Sequence, residues 1–274
     1  IELGPRGRAF GGSAIILFFI VGFGLPVAIL IWASLIPFYQ APTISALKFT
    51  SLDAYRFILT GPGRHEFLQG LRNSLLLILV VPAVTMVLSA VVSWFVVRSK
   101  VKGKSLLDTL AFLPHTVPGI VMGLAWLIIG LFVLTPTYGT LWLIAIAHVS
   151  LFIAYGTRTT NGAMFQIHRE LEEASAMSGA GWFSTFRGIV LPLLMPSLVA
   201  GWLWVAIHSG RELTVALLLQ SSSNRIISAY VFQQFTSGRL NLAAAAGVLL
   251  VLIIIVLVVL TRIAGQRLSR QKGS

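Results

Sequence analysis

The sequence predicts an all-α membrane protein of six transmembrane helices, and three observations carry that prediction. Of its 274 residues, 57% are apolar and only 10% charged, far below the roughly 25% charge of soluble domains. The apolar residues fall in runs of about 20, the length that crosses a hydrocarbon core of roughly 30 Å. Those runs lack the polar face of a soluble amphipathic helix, and inside lipid every backbone group must be satisfied within its own segment, which selects helices.

The spans fall at Gly12–Ile36, Ser74–Val97, Leu107–Leu134, Thr140–Tyr155, Pro192–Gln220 and Leu242–Ile263. The fifth is open to a start a turn or so later. The first is too long for a signal-peptide core and has no small-residue cleavage site, so it reads as a retained helix. Pro37, Pro42, Gly61, Pro62 and Gly63 punctuate a long first loop, and Thr135–Gly139 is a tight turn. Residues 1–11 form a polar segment or linker, 12–264 the six-span domain with a loop at 156–191, and 265–274 a basic tail.

The net charge of +12 follows topology rather than nucleic acid, since basic runs interleaved with aromatics are absent. Thirteen Lys and Arg residues fall on the side of the termini, six on the other, and Arg211 lies within a span. That asymmetry predicts both termini in the cytoplasm. Cysteine is absent, which excludes disulfides and Cys-based metal sites.

One segment departs from the apolar pattern: ELEEASAMSGAGWFSTFRGIVLPLLMPS, Glu170 to Ser197. Phe165 to Ser178 suits a helix, with Ile167, Leu171, Ala174 and Ser178 on one side. Gly179 is placed to end it in a left-handed conformation, and Gly181 to let the chain turn. Trp182, Phe183 and Phe186 form an amphipathic stretch suited to the interface, and Pro192 suits the first turn of the next helix. On these features alone, a solvated amphipathic loop and an interaction site both stand.

Glu173-Ala174-Ser175, three residues, Gly179, nine residues, Ile189, one residue, Leu191-Pro192 resembles the EAA signature of binding-protein-dependent ABC importer permeases. Only Ser175 departs, standing where the signature has a second Ala. The resemblance implies the type I (MetI-like) permease fold, with this segment as a coupling helix docked on a cytoplasmic dimer of ATP-binding subunits. Glu173 would be the polar anchor, Ala174 and Ser175 the close-packing positions, and Gly179 the turn. Ile189, Leu191 and Pro192 complete the motif.

Arg211–Leu252 and Leu113–Leu127, with its paired prolines, resemble iron(III)-type permeases, and Ile1–Gly7 resembles the linker before the second half of their tandem forms. This implies the carboxy-terminal half of a tandem permease in the bacterial inner membrane, moving a small solute by alternating access. Ferric iron is the first expectation; 2-aminoethylphosphonate, polyamine and thiamine remain open. The partners implied are a second permease half (fused or separate), a periplasmic binding protein received by Pro37–Arg72 and Ser221–Asn241, and membrane lipid. ATP and Mg would belong to the partner ATPase, because this chain has no Gly-x-x-x-x-Gly-Lys-Ser/Thr loop.

Arg211 and Glu212 interrupt the fifth span, and ionisable groups at that depth face a partner or a watery path. They either line the translocation path or sit paired near the outer end. His115, between Pro114 and Pro118, is a path candidate where the third span is broken, though a packing kink is the simpler reading. His208 and Glu212 have the i, i+4 spacing of a metal pair; a histidine satisfied within its own helix is simpler. The other histidines, His65, His148 and His168, make no metal constellation. Asp108 is expected to complement its helix dipole, and Gly119-x-x-x-Gly123 to form a close-packing face. An enzyme lacks support: His-Glu-x-x-His is absent, and Ser13 has no evident base. An ion-coupled transporter would be expected to carry more intramembrane carboxylates than Glu212 alone.

Overall fold

The computed structural model describes residues 4–38 and 40–271, and among them every regular element is helical. The helices are α1 (membrane-length part Phe10–Leu35), α2 (Asp53–Leu59), α3 (Arg64–Arg98), α4 (Lys104–Thr116), α5 (Gly119–Phe132), α6 (Leu141–Gln166), α7 (Glu170–Met177), α8 (Trp182–Arg211), α9 (Thr214–Leu219), α10 (Ile227–Thr236) and α11 (Leu240–Gln271). Five are long and apolar enough to cross a membrane, and α4 with α5, bent by 108° at their junction, make a sixth. The expected six spans are therefore present, one of them broken.

Their limits differ from the hydropathy pattern for identifiable reasons. The fourth span does not stop at Tyr155. It continues to Gln166 because its polar residues bond inward: Thr157 Oγ1 donates to the Ala154 carbonyl (3.0 Å), and Thr160 Oγ1 to that of Gly156 (2.8 Å). Arg158 is therefore a helical residue, not a loop residue. The second span begins ten residues early, at Arg64, since Asn73 and Ser74 are used by the chain itself. Asn73 Nδ2 donates to the Arg225 carbonyl (2.8 Å), and Ser74 Oγ accepts the Ile227 amide (2.9 Å).

The fifth span also begins early, at Trp182, and Pro192 lies well inside it rather than in its first turn. A π-turn at Phe186–Val190 makes this possible: the Leu191 amide bonds to the Phe186 carbonyl, five residues back. Pro192 has no amide to donate and its ring would crowd the carbonyl four residues before it; the widened turn re-routes the ladder there. The same device precedes Leu25-Pro26 in α1, where a π-turn spans Ile20–Gly24. Trp182, Phe183 and Phe186 are thus the opening turns of α8. At the chain ends, helix begins at Pro5 within the expected linker and runs on to Gln271 through the expected tail.

The chain forms two compact units: Ile1–Leu68 with Tyr230–Ile253, and Gln69–Ala229 with Ile254–Ser274. In the first, Ser34 Oγ and Tyr55 Oη share a hydrogen bond (2.8 Å) and the Phe67 and Tyr230 rings meet edge to face. The apolar window of α1 is entirely unburied, as expected of a helix facing lipid. In the second, Leu77, Val81, Leu143, Ile144, Val205, Val215 and Leu219 form the main core, drawn from α3, α6, α8 and α9. Gly119 and Gly123 do form a packing face, toward α9: a Cβ on Gly123 would lie 2.9 Å from Leu218 Cδ1 and 3.2 Å from Val215 Cα.

Candidate functional site

At the α6–α8 junction, Ile167 adopts an extended conformation and α7 follows within a few residues. Three carboxylates, Glu170, Glu172 and Glu173, fall in its first turn, where the helix dipole favours negative charge. At the other end, Gly179 takes φ +81°. Its amide bonds to the Ala176 carbonyl (3.0 Å) and the Ala180 amide to that of Ser175 (3.1 Å). This pair of bonds is a Schellman closure, which needs a left-handed residue and so favours glycine.

The eight residues of α7 include none that is buried. Glu173 is exposed and its carboxylate has no hydrogen bond or ion pair among the described residues, Ala174 is exposed, and Met177 is 90% exposed. Ser175 turns inward, and its hydroxyl shares a hydrogen bond with that of Thr185 on α8 (2.8 Å). That bond explains the departure from alanine: at this position the serine ties the helix to its successor. Ile189, Leu191 and Pro192 are half-buried in and just after the π-turn of α8. The motif therefore occupies two places, an exposed face on α7 and a backbone device in α8.

Three residues at this junction lay outside sequence reasoning. Arg98, whose side chain is only 6% exposed, places Nε 3.0 Å from Glu172 Oε1, a close ion pair set off the hydrogen-bond axis. Its Nη2 donates to the carbonyls of Ile167 (2.7 Å) and Met164 (3.2 Å), while Arg169 Nη2 donates to that of Val97 (3.0 Å). Beneath them Val97, Met164, Ile167, Val190 and Leu194 form a small apolar cluster. Arg98 and Glu172 lie more than 70 positions apart in the chain, so only folding reveals the pair. Alongside, a groove of about 670 Å³ runs between the apolar stripes of α3 and α8, from Met86 and Trp202 to Trp94 and Trp182.

The path candidates lie elsewhere and separate from one another. Glu212 is extended between α8 and α9. Its carboxylate accepts the amides of Thr214 (2.9 Å) and Val215 (3.1 Å), capping α9, and Oε2 lies 3.5 Å from Nε2 of the fully buried His148. His148 Nδ1 is 3.0 Å from Ser209 Oγ. Arg211 points away, exposed, with Nη2 2.9 Å from His208 Nε2. His208 Nδ1 lies 2.8 Å from the Trp204 carbonyl; it must donate there, leaving Nε2 as the acceptor for Arg211. The ring also stacks on Trp204, which stacks on Tyr155, each at 3.6 Å. His208 is thus satisfied within its helix.

His115 is exposed in the last, tightened turn of α4, its ring 5.6 Å from that of Phe112. Asp108 does not serve its helix dipole as expected. It lies beyond the first turn of α4 and binds α6 instead, through Arg158 (3.1 Å) and Asn161 (3.2 Å). Among the described residues no three His, Asp or Glu side chains are grouped to hold a metal.

This architecture is that of a polytopic transport component. Residues 85–270 match the family of binding-protein-dependent transport system inner membrane components, and the chain belongs to that family. It is 26% identical over 186 residues to the Fe(3+)-transport system permease protein FbpB 2 of Haemophilus influenzae, an alignment covering 68% of this chain but 37% of that protein. The chain thus spans little more than a third of that relative. It is 25% identical over 256 residues to the putative 2-aminoethylphosphonate transport system permease protein PhnV of Salmonella paratyphi A, covering 90% of this chain and 91% of that one. Among solved structures, a bacterial ABC transporter involved in the import of the acidic polysaccharide alginate superposes with a TM-score of 0.74 at 15% identity, covering 96% of both chains. The fold is the MetI-like permease fold of ABC importers.

Proposed function

We propose that this chain is the transmembrane subunit of an ATP-driven importer of the bacterial inner membrane, with both termini in the cytoplasm. On this reading α7 docks on a separate ATPase subunit, which binds ATP and Mg, and a second permease half completes the path. The observation that carries the reading is α7 itself. A helix without one buried side chain, presenting a Glu173 carboxylate with no partner among the described residues beside Met177 at 90% exposure, is incomplete as a folded element. It stands at the EAA position of a chain belonging to an importer family. Apolar side chains exposed in the first loop, such as Ile44 at 88%, suit reception of a periplasmic binding protein.

For the solute, ferric iron is the leading reading, supported by the similarity to FbpB 2. The near full-length similarity to PhnV supports 2-aminoethylphosphonate as the second.

Because the chain has no cysteine, a single Met177→Cys gives a clean test. Co-expressed with an ATPase subunit carrying cysteines around its surface cleft, it is expected to form a crosslink whose yield changes with ATP and is lost in Gly179→Pro. Absence of the crosslink in correctly oriented protein would refute docking through α7. Stimulation of ATP hydrolysis by a ferric-loaded but not a 2-aminoethylphosphonate-loaded binding protein is expected for the first solute, and the reverse for the second.

A further inference from the structure

Two helices end beside α7, and each end is closed by an arginine belonging to the other side of the junction. The last carbonyls of a helix have no partner within it. At the end of α6, those of Met164 and Ile167 accept Arg98, the last residue of α3. At the end of α3, that of Val97 accepts Arg169, which follows α6 and immediately precedes α7. Arg98 then reaches Glu172 on α7 with its remaining edge. A planar guanidinium can serve carbonyls with one nitrogen and a carboxylate with another, which a lysine ammonium cannot do in the same geometry.

Resting on the reading of α7 as the docking helix, we infer that Arg98 is a positioning residue that carries displacement of α7 into α3 and α6, with Glu172 as its point of attachment. α7 buries no side chain, so polar links decide what it moves with. One of these, Ser175 to Thr185, leads to α8. The other two, Glu172 to Arg98 and Arg169 to Val97, lead to α3, and through Arg98 to the last turn of α6. Cross-capping makes the ends of α3 and α6 one body, and the apolar cluster of Val97, Met164 and Ile167 fills the space beneath. A push on α7 therefore reaches three spans, two of them through a single buried side chain. The exposed Glu173 carboxylate, with no partner among the described residues, is left for the ATPase subunit, so the adjacent carboxylates divide the work: Glu173 faces outward and Glu172 holds the lever to the spans.

The test uses the assembled importer in nanodiscs, with spin labels at Phe95→Cys on α3 and Met177→Cys on α7, compared nucleotide-free and trapped with ATP and vanadate. The expected result is one narrow distance common to both states. Glu172→Ala removes the carboxylate but not the Met164 and Ile167 carbonyls that accept Arg98; it is expected to broaden that distance and separate the two states. In the same variant, stimulation of ATP hydrolysis by loaded binding protein should fall roughly 2- to 30-fold, the range such networks carry, while the Met177 crosslink persists. Arg98→Lys should reproduce the separation. A Glu172→Ala distance that stays narrow and independent of nucleotide overturns the inference and leaves α7 docking intact. Failure of the Met177 crosslink in the native background removes the docking reading, and this inference with it.

Discussion

Two of the breaks between helices that fall beside charged residues, the α6–α7–α8 junction and the α8–α9 break, satisfy those charges in opposite ways. At the break, Glu212 is drawn inward. Its carboxylate caps α9 and lies against a fully buried histidine, so the charge is used up by the chain's own amides. At the junction, α7 buries nothing and leaves Glu173 without a partner among the described residues, and its internal links are hydrogen bonds and one ion pair. A break closed by the chain's own groups fixes the fold. An exposed element held by a few polar links can shift as a unit, because no close-packed interface must be taken apart to move it.

Substitutions at the two places should separate accordingly. Glu212→Ala strips the amide bonds that cap α9 and the carboxylate beside buried His148, and losing hydrogen bonds to a charged group costs about 1.5–3 kcal/mol; the unfolding free energy in detergent should fall by that much. Gly179→Ala forces a Cβ into a left-handed conformation, costing about 1–2 kcal/mol. Because α7 is peripheral, the loss should appear as roughly tenfold faster amide exchange over Ser175–Ala180, with global unfolding changed by no more than about 0.5 kcal/mol. Ser175→Ala, which restores the family's alanine, removes the bond to Thr185 and should cost about 1 kcal/mol or less, again read by local exchange. A global loss from either α7 substitution, or a purely local one from Glu212→Ala, would erase the distinction.

How much was legible beforehand differs between the two places for the same reason. Gly179 was readable because a left-handed helix stop is a local demand written into one residue and its neighbours. The charges at Arg211 and Glu212 were visible as anomalies. Their fates were not, since Glu212 turns toward α9 and His148 while Arg211 turns outward to His208. Asp108 was assigned to its own helix dipole because sequence shows a carboxylate near a helix start, not Arg158 fifty positions later on a neighbouring helix. The early start of α8 escaped notice because a proline ordinarily marks a boundary, and the π-turn that accommodates it has no hydropathy signal.

By itself, then, the sequence determined the membrane class, the number of spans and the motif that places an exposed helix between the fourth and fifth. Each of these follows from the length of apolar runs or from residue spacing along a continuous stretch of chain. Tertiary structure alone decided that Arg98 and Arg169 cap each other's helices, that Glu172 pairs with Arg98 while the Glu173 carboxylate has no partner among the described residues, and that Glu212 caps α9. These are pairings between helix ends remote in sequence. Such ends meet only after the helices have packed, when each orphaned carbonyl and buried charge must take whichever partner the fold has brought within reach.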